Sequence, residues 1–180
     1  MLFRSRRESS TPAPCREKIK EALTIIINED EKVLNTFIQD FRKEFMSLNG
    51  EDIAYPRSCN NLKKYKDSSS IFIKGTPMHI KGALIYNHLL NKNKIANKYP
   101  LIQEGDKIKF LELKTPNRLQ SNVISFMTRL PREFNMQGVI NYDVMFEKSF
   151  VDPLTFILDE IHWNVDRSYG TATTLEHLFG

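Results

Sequence analysis

The chain predicts a mainly α fold with a small antiparallel β insert, an α+β arrangement, and three observations support that expectation. Apolar residues recur at helical spacing through residues 15–50, 77–91 and 141–161; period-two alternation is confined to residues 105–127; turn-forming and polar stretches separate these segments. Residues 1–14 read as a lead-in, 15–166 as one domain, and 167–180 as a flexible tail. With 180 residues, 41% of them apolar and twelve of them Phe, the chain is long enough to bury a core.

The helical base spans 15–50. "SSTPAP" offers Ser10 or Thr11 as a cap, followed by prolines that suit a first helical turn, so a helix should start near Cys15 and carry Ile19, Ala22, Leu23 and Ile26 on one face. "NED" at 28–30 interrupts the pattern. Val33, Phe37, Ile38, Phe41, Phe45 and Leu48 then mark one face of a longer helix, with Asp40, Arg42, Lys43 and Glu44 opposite, and Asn49 with Gly50 closes the pair. Residues 52–98 form the next unit. Periodicity is lost over 52–76, a polar and basic loop with only short extended pieces such as 71–73; Pro77 then opens a helix with Ile80, Ala83, Leu84, Asn87 and Leu90 on one face, ending in "NKNKIANK".

"GDKIKFLELK" alternates through Lys107, Ile108, Lys109 and Phe110, and "NVISF" follows a turn around "TPN", which together predict the β insert at 105–127. Residues 141–161 place Tyr142, Met145, Phe146, Phe150, Leu154, Ile157 and Leu158 at helical intervals, with Pro153 expected to kink or restart the helix.

Several function classes are disfavoured. No apolar run approaches the length needed to cross a bilayer, and the basic start "MLFRSRRE" has no long apolar segment behind it, so no secretory signal and a cytoplasmic location are expected. Cys15 and Cys59 lie far apart and are expected to be free thiols. His79, His88, His162 and His177 show no metal-ligand spacing, no glycine-rich phosphate cradle occurs, and the acid pairs Asp159 with Glu160 and Glu29 with Asp30 project in different directions. The chain is therefore expected to hold no catalytic residue, metal or cofactor of its own.

Charge is concentrated in the middle. Residues 57–98 carry nine Lys or Arg against one acid, Asp67. Such a segment suits a polyanion, above all nucleic acid, although a solvated face would look the same. "RSCNNLKKY" sharpens the reading, because Arg57, Ser58, Asn60, Asn61, Lys63, Lys64 and Tyr65 supply the groups that contact phosphates and sugars without reading sequence. Lys74, the helix start at 76–78, His79 and Lys81 would extend the same surface. His79 has a second reading as a helix-capping or core-edge residue.

The blocks "ESSTPAPCREKIKEAL", "FRKEFMSLNGEDIAYPRSCNNLKKY", "GTPMHIKGALIYNHLL", "EGDKIKFLEL" and "YDVMFEKSFVDPL" occur in the order seen at the C-terminal end of family B replicative DNA polymerases of T-even-like bacteriophages. The chain resembles the thumb domain of that family over residues 8–180. The resemblance implies that Ser58, Asn60, Asn61, Lys64, Tyr65, Lys74, His79 and Lys81 belong to the surface that grips the primer-template duplex. It also implies that "TTLEHLFG" docks on the sliding clamp through Leu175, Leu178 and Phe179, although this tail lacks a final aromatic after Phe179, and an apolar tip could instead fold back on its own domain.

The family's palm "DTD"-like and "SLYP"-like motifs, its fingers lysine and its exonuclease carboxylates are absent from these 180 residues. Nucleotidyl transfer and its Mg2+ ions would then belong to a separate catalytic chain, and this one is expected to be inactive alone. "MLFRSRR", unlike the family's lead-in, suggests a separately started reading frame. The expected partners are duplex DNA, the catalytic polymerase chain and the clamp, with no membrane. The alternative is a stand-alone DNA-binding or clamp-adaptor protein. A subunit should expose an apolar patch for its partner, with Ile25, Ile27, Leu2 and Phe3 as candidates.

Overall fold

The computed structural model describes residues 10–168. Helix α1 (Ala13–Asn28) begins with proline in its first turn, and α2 (Glu31–Ser47) follows after two residues. The interruption at "NED" is the N-cap of α2: Asp30 Oδ1 accepts the Val33 backbone N–H at 2.9 Å. The buried face of α2 is Leu34, Ile38, Phe41 and Phe45, so Val33, expected inside, is 41% exposed. The i, i+4, i+7, i+11 series from Leu34 is the longer helical register, and it wins over the one from Val33.

Asn49 and Gly50 do not cap α2. Leu48 ends it in an extended conformation, and Gly50 starts a short helix, α3 (Gly50–Ile53). Gly50 is closely packed there: an added Cβ would lie 2.7 Å from Ile140 Cδ1 and 3.1 Å from Leu111 Cδ1, so these side-chain tips would have to shift.

Residues 52–76 hold more regular structure than their polarity suggests. Strand β1 (Tyr55–Ser58) is followed by α4 (Leu62–Tyr65) and the two-stranded hairpin β2 (Lys66–Asp67) and β3 (Ile71–Phe72). After helix α5 (Met78–Lys92), β4 (Lys107–Glu112) and β5 (Val123–Phe126) complete a three-stranded antiparallel sheet in the order β1-β4-β5. The β insert therefore recruits a strand from the predicted loop, with Arg57 opposite Ile108 and Ser58 opposite Lys107.

Helix α5 crosses β5 at very short range. A Cβ on Gly82 would sit 2.7 Å from the Ser125 backbone nitrogen, and the Ser125 hydroxyl donates to the His79 carbonyl at 2.7 Å. On the other side lies the helical base. There α6 (Tyr142–Phe146) runs through a π-helical turn (Glu147–Val151) into α7 (Asp152–Glu160), which starts with Pro153 in its first turn. The wider π turn precedes the proline, and the backbone stays helical through Val151 and Asp152, so Pro153 sits in a continuous helical run and does not restart it. Phe41, Phe45, Phe146 and Phe150 interlock between α2 and this segment, with the Phe41 and Phe150 rings edge-on at 4.7 Å. No helix among the described residues is long and apolar enough to cross a membrane.

Candidate nucleic-acid interface

The segment from Arg57 to Lys81 is organised by backbone hydrogen bonds to the turn before β4. Cys59, buried, donates its N–H to the Asp106 carbonyl and accepts from the Gly105 N–H. The chain then turns through Asn61, which adopts a left-handed conformation (φ 66°) that Asn tolerates better than most residues. The Asn61 and Leu62 N–H groups donate to the two oxygens of Glu104, at 2.5 and 2.8 Å. One carboxylate thus satisfies two of the orphan donors at the start of α4.

This brace presents Asn60, Lys63 and Lys64 to solvent. Tyr65 is half-buried, with Lys64 Nζ 5.3 Å from its ring centroid. The hairpin that follows engages its own acid. Asp67 Oδ2 accepts from the N–H and hydroxyl of both Ser69 and Ser70, which holds its carboxyl well below the usual range, so the aspartate folds into the turn. Lys74 is exposed beside Gly75, whose φ of 83° and empty surroundings mark a turn that only glycine makes without strain.

The first turn of α5 supplies the remaining groups. Lys81 donates to Asn122 Oδ1 at 2.8 Å and lies 5.0 Å from the Phe72 ring, so it is partly withdrawn and fixes α5 against β5 and the hairpin. His79 is half-buried, its ring 6.2 Å from that of Phe110; burial first, then the nearby Arg57 charge, push its pKa below the ordinary 6.5. It is therefore a neutral imidazole at pH 7. Arg57 itself donates to the Ser10 and Pro56 carbonyls and stacks over Phe110. Ser58 accepts from Lys107 Nζ at 2.8 Å.

The predicted residues thus separate by position. Asn60, Asn61, Lys63, Lys64, Lys74 and, more recessed, Tyr65 and Lys81 surround α4, the hairpin and the start of α5, whereas Arg57, Ser58 and His79 are engaged with the protein. Lys92 lies about 16 Å along the axis of α5 from Lys81, and Lys98 pairs with Glu133 at 3.1 Å. Glu104 and Lys107 are the residues bracing this segment that local reading missed. Their link to the loop lies in pairing partners more than 40 positions away, and only the alternation around Lys107 hinted at it.

Both cysteines are free and buried, and burial pushes each thiol up to about 11. Leu175, Leu178 and Phe179 lie outside the described residues, as do Leu2 and Phe3.

No protein-family model matches the chain. Over 178 residues, 97% of its length, the chain is 29% identical to the DNA-directed DNA polymerase of Enterobacteria phage T4. It spans only 19% of the length of that polymerase.

Proposed function

We propose that this chain is the thumb piece of a phage-type DNA-directed DNA polymerase, gripping the primer-template duplex beside a separate chain that carries the catalytic carboxylates. The observation that carries this reading is the 29% identity to T4 DNA polymerase along 97% of the chain, confined to 19% of that enzyme. The arrangement around α4 supports it. Lys63, Lys64 and Lys74 are exposed point charges suited to phosphates, Asn60 and Asn61 offer amides of the type that reach minor-groove acceptors, and Lys81 lies one step behind them.

Gripping of this kind is sequence-independent, as a replicative enzyme requires. The thumb piece would raise the time the catalytic chain spends on one duplex, while Mg2+ held by that other chain would supply the phosphoryl-transfer chemistry. The apolar residues Leu175, Leu178 and Phe179 would plug into the sliding clamp and add a second tether, which multiplies the residence time without further DNA contacts.

Primer extension by the polymerase chain encoded in the same genome, with and without this chain, tests the proposal. Product length should increase when the full 180-residue chain is added. Equal processivity would overturn the reading and leave a stand-alone DNA-binding protein.

A further inference from the structure

Phe156 on α7 is 77% exposed, and the residues one turn to either side of it are acids. Asp152 lies four positions before it, and Asp159 and Glu160 lie three and four positions after it, so the four share one stripe of the helix. All four are exposed. No Lys or Arg among the described residues forms an ion pair with these three carboxylates. Lys148, four positions before Asp152, is taken by Glu112 at 2.6 Å, and Arg167 is taken by Glu147 at 3.2 Å. The outer face of α7 is thus a bare phenyl ring set among carboxylates without a counter-charge. Its complement is an apolar group accompanied by cations.

This chain contains such a segment. Residues 1–9, which precede the described ones, read "MLFRSRRES": Leu2 and Phe3 are apolar, Arg4, Arg6 and Arg7 are cations, and Glu8 is the one acid. The segment joins the fold beside α7. Ser10 and Thr11 line the same groove, of about 980 Å³, as Asp152 and Pro153, and Ser10 is held there through its carbonyl, which accepts from Arg57 at 3.2 Å. Along the helix axis Phe156 is about 6 Å from Asp152, and Glu160 about 12 Å. The seven residues from Phe3 to Ser10 span up to about 23 Å when extended, so the reach is ample. Of the two acids in the groove, Glu112 is occupied by Lys148, which leaves Asp152 to the arginines.

Other occupants match less well. Duplex DNA is repelled by the carboxylates of this face, and a second copy of the face would set acid against acid.

We infer that the outer face of α7 is the docking site for this chain's own residues 1–9, with Phe3 packed on Phe156, Arg6 and Arg7 beside Asp152, and Arg4 beside Asp159 and Glu160. The inference goes beyond the proposed function and does not depend on it. The contact consists of one apolar pair and several surface ion pairs, each weak in water, so it is reversible and sensitive to salt. When docked, the segment covers an apolar spot that would otherwise be open to chance association.

A nitroxide label on the full-length Ser5→Cys chain tests this, since Cys15 and Cys59 are buried and leave position 5 as the accessible thiol. At a concentration where the chain is monomeric, the amide NMR signals of Phe156, Asp159 and Glu160 should lose most of their intensity relative to the reduced label. Phe156→Asp should restore them, as should Asp159→Lys combined with Glu160→Lys, whereas Phe156→Leu should leave the loss in place. Salt at about 1 M, where the Debye length is about 3 Å, should restore them in part. Full intensity in the labelled wild-type background, or a loss that Phe156→Asp does not relieve, would overturn the inference. A loss that arises only between a labelled and an unlabelled chain would assign the face to the start of a second copy. Binding of the polymerase chain encoded in the same genome that Phe156→Asp weakens and removal of residues 1–9 does not change would assign it to that chain. Either result overturns docking of residues 1–9 on their own fold.

Discussion

Glu104 and Leu62 are 42 positions apart in the chain, yet the Glu104 carboxylate accepts the Leu62 N–H at 2.8 Å. The same carboxylate takes the Asn61 N–H, so the start of α4, and with it the direction in which Lys63 and Lys64 point, is set by a side chain from the turn before β4. An exposed four-residue helix has little stability of its own, and this external cap is what replaces it.

Glu104→Ala should therefore loosen α4 without unfolding the domain. Loss of a cap costs about 1 kcal/mol, and here the effect is local. Hydrogen exchange at Asn61 and Leu62 should accelerate several-fold, and duplex affinity should fall by a smaller factor although Glu104 is itself an anion. An increase in affinity would show that its charge, rather than its bracing of the loop, dominates.

Gly82→Ala addresses how α5 is held. The new methyl would meet the Ser125 backbone nitrogen at 2.7 Å, and a strand backbone cannot move aside as a side-chain tip could. Overpacking of this kind costs about 1–3 kcal/mol, which for a domain of this size lowers Tm by about 2–12 °C. Thermal denaturation followed by circular dichroism measures it. An unchanged Tm would mean that α5 does not sit this close to β5.

Much of this architecture is written in local patterns. The break at Asp30, α5 from Pro77 and the β4 and β5 strands follow from capping chemistry and period; α1 starts among its prolines, at Ala13, with Pro12 in the cap position in place of Ser10 or Thr11. β1 does not, because "YPRS" is short, holds a proline and is basic; only its pairing with Lys107–Phe110, some 50 residues on, makes it a strand. The site shows the same division. Lys63, Lys64 and Lys74 are exposed where the composition suggests, but the engagement of Arg57 by Ser10 and Phe110, and of Lys98 by Glu133, depends on partners that come close only in the fold. Clustering along a sequence does not reveal which cations the fold pairs.

The lysines should differ in their effect on binding. Lys64 is exposed, so Lys64→Ala should weaken duplex binding equally for every base sequence and reduce the salt slope by about 0.9 for a lost phosphate contact. Lys81 is bonded to Asn122 and lies over Phe72, so Lys81→Ala should affect the slope less and stability more. Fluorescence anisotropy across a salt series separates the two. A loss restricted to certain base sequences would contradict gripping by the backbone.

His79 supplies a pH dependence whose direction follows from its surroundings. Burial and the Arg57 charge depress its pKa in the folded chain below the ordinary 6.5, so as pH falls the unfolded chain takes up this proton first. The contribution to stability is thus complete above about pH 6.5 and is lost as pH falls from there toward the folded-state value. Urea denaturation at pH 7.5 and pH 5.5 should show a smaller loss for His79→Gln than for the wild type. The same depression means that His79 stays neutral at pH 7, so its replacement by Gln should leave the salt slope of duplex binding unchanged there. A slope lowered by a full phosphate contact would show that the imidazole is charged against DNA, and that the duplex draws it out of its place beside Phe110.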